Sequence, residues 1–313
     1  MFVENAIQSP ETVKDSDIVM ESSGVRFTKE KFLRYFERKV RKTIRVHNLV
    51  GKEEHVLAGV SGGKDSTVLI YLLNKILKSR KISVEGLFID VGIQNYSTIN
   101  EKNITKFCTE QGITLHKTSY REIFGFSHCY LKDLLAAKNM EVNSCTTCGV
   151  LKRYVLNKKA KELKATKLAT GHNLDDEAQA VTMNMFKNQM PLMARLGPMS
   201  GSSNQPGLIP RIKPLYFCSE DEVILYSKLM QFPVKYDVCP CSLEAYRRQV
   251  SNLLDDFEKQ HKQTKYAIVN SLLTILPTLK KEFKGSVSSC TQCGEASSGE
   301  LCGTCKLFNK IIN

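Results

Sequence analysis

The chain has 313 residues, with 45 Lys and Arg against 32 Asp and Glu for a formal net charge of +13. That length suits one large domain or a core with one or two small appendages. No apolar run approaches membrane-spanning length, which excludes a helical membrane protein and leaves no membrane partner to expect. The positive surplus favours a polyanionic partner, although a merely soluble basic protein would carry it too.

The opening Met1-Phe2-Val3-Glu4 lacks the basic start and apolar stretch of a secretory signal, so a cytoplasmic location is expected. In a reducing compartment eleven cysteines are not expected to form a disulfide framework, and their clustering points to metal or redox chemistry.

Residues before about 30 are polar with little pattern and read as an irregular leader. From Lys31, the residues Phe32, Phe36, Val40 and Ile44 recur at four-residue spacing, with Arg34, Arg38, Lys39, Arg41 and Lys42 largely elsewhere. This predicts a basic amphipathic helix docked on the core, its charged face either merely solvated or in contact with RNA. The apolar run Val56, Leu57, Ala58 predicts a strand and the pattern from Thr67 to Ile76 a helix, so Val60-Ser61-Gly62-Gly63-Lys64-Asp65-Ser66 is a glycine turn at a helix N-terminus. Unpaired backbone N–H groups and the positive end of the helix dipole make such a turn suited to phosphate. Ser61, Lys64 and Ser66 are expected to add donors there, and Asp65 and Ser66 to lie at the loop surface.

Ser83 to Asp90 reads as a second buried strand, followed by a helix from about Tyr96 to Glu110 and a third strand from Ile113 to Thr118. Cys145 to Lys164 reads as a cysteine turn leading into a basic helix, and Lys167 to Thr170 as another short strand. Alternation at these lengths predicts an α/β fold with a parallel sheet and ligands at the carboxyl ends of its strands. Pro191 to Pro214, rich in Pro, Gly and Ser, reads as a long loop that could order around substrate. Helices are expected at Glu220–Met230, Leu243–Lys259 and Tyr266–Leu279, before a cysteine-rich piece from Cys290 to Cys305.

Thr170-Gly171-His172-Asn173-Leu174-Asp175-Asp176-Glu177 again joins a strand end to a helix start. Asp175 and Asp176 can simply cap the helix and complement its dipole. Beside a phosphate site they also suit magnesium, held through one or two carboxylates plus phosphate oxygens, and Asp176 could alternatively take a proton from a substrate base. Cys145-Thr146-Thr147-Cys148-Gly149, with Lys152-Arg153 close behind, is a lone CxxC whose spacing fits a redox pair, half a zinc site or part of an iron–sulfur site. Cys239-Pro240-Cys241 supplies further thiolates. The two terminal CxxC knuckles, Cys290 with Cys293 and Cys302 with Cys305, fit a closed tetrahedral structural zinc site. Cys108, Cys129 and Cys218 are isolated and read as small core residues.

A Walker A loop requires Ser or Thr after Gly-Lys, and Asp65 stands there. The stretch SGGKDS resembles instead the pyrophosphate loop, or PP-loop, of the N-type ATP pyrophosphatases, which split ATP between the α and β phosphates and use AMP to activate a carbonyl oxygen. Together with CTTCGVLKRYVLN, TGHNLDDEAQ, the Cys-Pro at 239 and the terminal CTQCGEASSGELCGTC, it makes the chain resemble the TtuA and Ncs-type tRNA 2-thiouridine synthetases over roughly residues 28 to 308.

The resemblance implies an ATP-dependent tRNA uridine 2-sulfurtransferase on a PP-loop core. It adenylates the uridine 2-oxo group and replaces that oxygen with sulfur delivered through a 4Fe–4S cluster. Sulfide, a persulfide or a thiocarboxylated ubiquitin-like protein would be the sulfur donor, and a homodimer is a family-based expectation. The resemblance implies Lys152 and Asp176 as catalytic residues, and Cys145, Cys148 and Cys239 as cluster ligands. ATP would lie against Ser61, Gly62, Gly63, Asp65 and Ser66, with Gly171 and His172 near its ribose or adenine side. Cys290, Cys293, Cys302 and Cys305 would hold zinc, and magnesium would accompany ATP. One departure is plain: the family opens with a four-ligand zinc finger, yet no cysteine precedes Cys108 and no histidine precedes His47. That finger is expected to be degenerate and metal-free.

The expected organisation is an N-terminal extension over 1–50, the PP-loop core over 51–235, a helical segment over 236–285 and a zinc ribbon over 286–313. The chain keeps 11 Cys and 9 Met, residues thermophile proteins tend to avoid. A mesophile has less need of the heat-protecting T-loop modification, so the wobble uridine is expected ahead of the T-loop uridine. The rivals are another PP-loop tRNA enzyme, thiolating cytidine or forming lysidine, and a non-catalytic zinc-ribbon RNA-binding protein.

Overall fold

The hydrophobic pattern first meets its core at helix α1 (Lys29–Val46), where Phe32, Phe36, Val40 and Ile44 are buried. The structure, a computed structural model, describes residues 18–22, 25–140, 143–201, 207–237, 239–242, 246–285 and 287–312. Part of the expected leader is an antiparallel hairpin, β1 (Ile18–Ser22) with β2 (Val25–Thr28), whose Phe27 ring packs edge-on against Phe32 of α1. Residues before 18 lie outside the described residues.

The charged face of α1 is not solvated throughout. Lys39 Nζ pairs at 2.8 Å with Glu222, a buried carboxylate that also accepts from the Tyr35 hydroxyl at 3.0 Å. Burial of Glu222 demands a partner, and a lysine one turn off the apolar stripe can bend inward along its aliphatic stem to supply it.

From the PP-loop region onward the chain runs β3 (His55–Val60), α2 (Lys64–Leu77), β4 (Ser83–Asp90), α3 (Gln94–Glu110) and β5 (Leu115–Ser119). Two short helices follow, α4 (Tyr120–Phe124) and α5 (His128–Ala137), then α6 (Ser144–Glu162), β6 (Lys167–Ala169), α7 (Leu174–Phe186) and α8 (Met190–Met193). The remainder is β7 (Met199–Ser200), β8 (Arg211–Ile212), α9 (Glu220–Leu229), α10 (Tyr246–Gln260), α11 (Thr264–Glu282), β9 (Ser288–Ser289), β10 (Ala296–Ser297) and α12 (Gly303–Ile312).

Six strands form one sheet in the order β5-β4-β3-β6-β8-β7, parallel except for the β7–β8 edge pair. Val56, Leu57, Ala58 and Val60 of β3 are buried, as an inner parallel strand covered on both faces requires. The chain steps outward from β3 through β4 to β5, then returns to the opposite side of β3 for β6. The topological switch point, where a ligand crevice opens in such sheets, therefore lies between β3 and β6.

Two expectations change. The CxxC is not a turn before a helix: Asn143 caps α6 by accepting from the N–H groups of Cys145 and Thr146, so both cysteines sit in its first turns. The Pro191 to Pro214 stretch is not one loop, since it contains most of α8, the edge strand β7 and β8; residues 202–206 lie outside the described residues. The helix expected over Leu243–Lys259 is seen as α10 from Tyr246 to Gln260, and residues 243–245 lie outside the described residues. Helices α4 and α5 went unread because they are short; each is started by a serine cap, Ser119 with a full capping box to Glu122, and Ser127.

Phe36 is fully buried and stacks on Tyr226 of α9 with ring centroids 4.6 Å apart. Phe36→Ala is expected to cost about 3–5 kcal/mol of stability, read from the midpoint of a denaturant titration.

Candidate active site and metal centres

Glycine geometry builds the loop after β3. Gly62 has φ +79°, and a Cβ there would lie 2.4 Å from the carbonyl oxygen of Asn100 on α3, so the loop requires glycine both for its backbone and for its approach to α3. Gly63 is the N-cap of α2 and offers no side-chain acceptor, leaving the first N–H groups of that helix open for an anion. Ser66 is buried rather than displayed at the loop surface: it accepts from Ser61 N at 3.1 Å and donates to the Gly63 carbonyl at 3.0 Å. It braces the loop as well as facing it.

The second motif lies directly on the first. A Cβ on Gly171 would sit 3.0 Å from the carbonyl carbon of Asp65 and 3.1 Å from Ser66 N, closer than a side chain's Cβ ordinarily packs. Asn173 Nδ2 donates to Asp65 Oδ1 at 3.0 Å, while Asn173 and Asp176 complete a reciprocal capping box. The Asp65 carboxyl is raised from its ordinary value by burial and by the Asp176 carboxylate, against the opposing pull of Lys64. Lys64 in turn bridges Asp65 at 3.1 Å and Glu220 at 2.7 Å, and these carboxylates raise its ammonium although burial acts the other way.

Asp175, adjacent in sequence, is committed elsewhere: it is buried, accepts from Glu220 N at 2.8 Å and pairs with Lys265. Of the two adjacent aspartates, Asp176 is the one that faces Asp65 across the crevice. It also pairs with Arg247 of α10 at 3.1 Å.

His172 keeps a solvent-accessible face and its Nδ1 lies 2.9 Å from Thr170 Oγ1. The crowded cleft wall, then the charges of Lys213, Arg247, Arg211 and Arg153, hold its imidazole well below its ordinary value. It is therefore neutral at neutral pH.

The central cysteines gather at the same end of the sheet. Gly63 of the PP-loop bridges to Lys235, and Cys239 follows four residues later, at most about 14 Å of chain. Cys145 Sγ donates to the Cys241 carbonyl at 3.3 Å, and the Tyr120 hydroxyl donates to the Cys148 carbonyl at 3.0 Å. Cys148, Cys239 and Cys241 pack around one apolar cluster with Val91, Tyr120 and Leu151. Cys129, expected as a small core residue, is half-buried and joins this same group, whereas Cys108 and Cys218 are buried core residues as expected. Burial and the neighbouring sulfurs raise the Cys145 and Cys239 thiols, and Lys152 pulls against this on both. Lys152 makes no ion pair among the described residues.

The terminal cysteines are spaced differently. The sulfurs of Cys290, Cys293, Cys302 and Cys305 all lie within 4.8 Å of one another, with Cys293 and Cys302 3.6 Å apart. Thiolates about 2.3 Å from one zinc stand roughly 3.8 Å apart, so this set fits a single ion. Among the described residues it is the one group of three or more ligands so compact. Burial would raise Cys290, but backbone N–H groups of Cys302, Cys293 and Gln292 draw it down to about 6, while burial and the adjacent sulfurs push Cys305 up. Four such sulfurs ionise together only around a cation.

The terminal module docks on α6, the helix that carries the central pair. Glu295 pairs with Lys161 and accepts from Asn157 at 2.7 Å, and Phe308 packs edge-on against Phe124 and Phe126.

A family profile described as a PP-loop domain matches residues 33–250. The chain is 33% identical over 287 residues to a tRNA-5-methyluridine(54) 2-sulfurtransferase of Pyrococcus horikoshii, covering 91% of this chain and 88% of that protein. It is 34% identical over 284 residues to the cytoplasmic tRNA 2-thiolation protein 1 of Caenorhabditis elegans, covering 90% and 74%. The solved U34-tRNA thiolase NcsA of Methanococcus maripaludis with its 4Fe–4S cluster superposes with a TM-score of 0.78 at 33% identity, covering 92% of this chain and 91% of that one. The chain belongs to the PP-loop tRNA 2-thiolation family.

Sequence reading of this family member missed Arg247, Arg211, Lys213 and Asn173. Only Asn173 had a local signal, as the N-cap of TGHNLDD; the cations come from separate elements with no motif of their own.

Gly62→Ala is expected to abolish nucleotide binding, measured by calorimetry with an ATP analogue, because the loop cannot close past Asn100. Cys290→Ser is expected to release one zinc equivalent and lower the melting temperature without changing the iron content, measured by elemental analysis and thermal melts.

Proposed function

We propose that this protein is an ATP-dependent tRNA uridine 2-sulfurtransferase. The observation that carries the reading is the meeting of the PP-loop with Gly171 and Asp176 on one side and with the Cys239 segment on the other. A phosphate cradle and a thiol cluster at one crevice suit adenylation of an oxygen followed by its replacement with sulfur.

In this reading the open N–H groups of α2 and the loop hold the pyrophosphate end of ATP, and Asp65 and Asp176 hold magnesium against the phosphates. Ser61, Gly62, Gly63 and Ser66 form the loop wall, with Gly171 and His172 beside the ribose or adenine. A neutral His172 accepts or donates a hydrogen bond without adding charge to the cleft. Lys152, free of carboxylate partners among the described residues, stabilises charge developing on the uridine oxygen as it departs with AMP. Asp176 serves as magnesium ligand or base.

Cys145, Cys148 and Cys239 would hold the 4Fe–4S cluster, to which Cys241 is adjacent. Held by these three residues, such a cluster would supply Lewis-acid activation of hydrosulfide. Sulfide, a persulfide or a thiocarboxylated ubiquitin-like protein is the donor class, zinc fills the terminal site, and the cytoplasm is the compartment. The wobble uridine is the preferred target. The relatives' names divide on this point, one reading U34 and one uridine 54, and the mesophile-like composition favours U34.

Turnover is expected to yield AMP and pyrophosphate together with 2-thiouridine, followed by phosphate-release assay and nucleoside mass spectrometry; ADP as main product, or modification confined to the T-loop, contradicts it. Anaerobic reconstitution should give about four irons per chain, lost in Cys145→Ala, Cys148→Ala and Cys239→Ala but kept in Cys241→Ala.

A further inference from the structure

Among the described residues, Arg153 and Arg211 are the cations acting on His172 that no carboxylate answers. Of the four positive charges bearing on that imidazole, Lys213 pairs with Glu177 at 2.7 Å and Arg247 with Asp176 at 3.1 Å. Neither Arg153 nor Arg211 makes an ion pair or side-chain hydrogen bond among the described residues.

The fold aims both at one place. Leu168 N donates to the Pro210 carbonyl at 2.9 Å, so the chain is already extended ahead of β8. Ile209 and Arg211, two residues apart, therefore share a face of the sheet. That face is the one α6 covers: Ile209 joins Leu156 and Leu163 around one apolar cluster, and its N–H donates to Asn157 Oδ1 at 3.1 Å. Arg153 lies one helical turn before Asn157 on the same side of α6. Since α6 runs back against the strands, moving from Asn157 to Arg153 and from Ile209 to Arg211 leads in the same direction, toward the carboxyl ends. Burial, then the charge of Arg153, lowers Arg211 from its ordinary value, as two neighbouring guanidinium groups without a counter-ion require.

Paired arginine forks match the oxygens of a phosphate group. Their position indicates which phosphate. The nucleotide crevice lies between β3 and β6, under the PP-loop, whereas Arg211 stands on β8, one strand further out. Arg153 stands five residues from Cys148, and the Cys148 sulfur acts on its charge. The pair thus flanks the crevice between the nucleotide and the cysteines.

We propose that Arg153 and Arg211 form a second anion site, separate from the PP-loop, that grips a backbone phosphodiester of the RNA substrate and fixes the reacting base between nucleotide and cysteines. The assignment deepens the tRNA reading above and rests on it. Filter binding of tRNA at several salt concentrations tests it, alongside calorimetry of an ATP analogue without RNA. The double variant R153Q/R211Q is expected to weaken tRNA binding about 10- to 100-fold and to flatten the salt dependence by one or two phosphate equivalents, with ATP-analogue affinity within about twofold of wild type. R211K, which keeps the charge, is expected to retain the salt slope, and R211Q against R211K gives the same comparison should the double variant not fold. Unchanged tRNA affinity and slope overturn the site. An equal loss of ATP-analogue affinity overturns it too, by assigning the arginines to a nucleotide phosphate. Wild-type protein that fails to bind tRNA overturns the parent reading along with it; wild-type binding with an unaffected variant overturns this site alone.

Discussion

The approach of Gly171 to the first turn of α2 is the contact on which the crevice depends. Backbone meets backbone there, 3.0 Å from an ideal Cβ position, so any larger residue would push the two segments apart by a few tenths of an ångström. That approach lets Asn173 bond Asp65 and brings Asp65 and Asp176 within mutual repulsion. A raised carboxyl beside a second carboxylate and open helix N–H groups is the arrangement from which a metal-bound polyphosphate is proposed there.

Helix α6 is the second organising element, because its two ends do different work. Its first turns carry Cys145 and Cys148 under the Asn143 cap. Its later turns, through Asn157 and Lys161, hold Glu295 of the terminal knuckle. One rigid rod thus couples the thiol cluster at the crevice to the compact four-sulfur module. The module is anchored to that helix by packing and polar contacts at the end away from the central thiols.

Charge is distributed unevenly around this frame. Buried carboxylates are answered one by one, Glu222 by Lys39, Glu177 by Lys213 and Asp175 by Lys265, because an unpaired buried charge is costly. Among the described residues Lys152, Arg153 and Arg211 have no such carboxylate partner, whereas Lys213 and Arg247 do. Part of the formal surplus of +13 is thus gathered around His172, where the proposed RNA phosphate would bring counter-charge.

The sequence by itself determined whatever is written in local periodicity or in a contiguous motif. Strand β4 falls where the SVEGLFID run predicts it, α2 starts at the lysine of SGGKDS, and the terminal CxxC pairs close into one compact set. The α/β class followed from alternation alone. Only the tertiary structure decided which members of those motifs are free to act. It tied Asp175 to Lys265, turned Ser66 inward, drew Lys39 out of its solvated face and moved Cys129 beside the central thiols. It also assembled Arg153 of α6, Arg247 of α10, and Arg211 and Lys213 at β8 around His172. Such convergence leaves no trace in spacing, because residues that are far apart along the chain meet only through the order in which parallel strands are laid down.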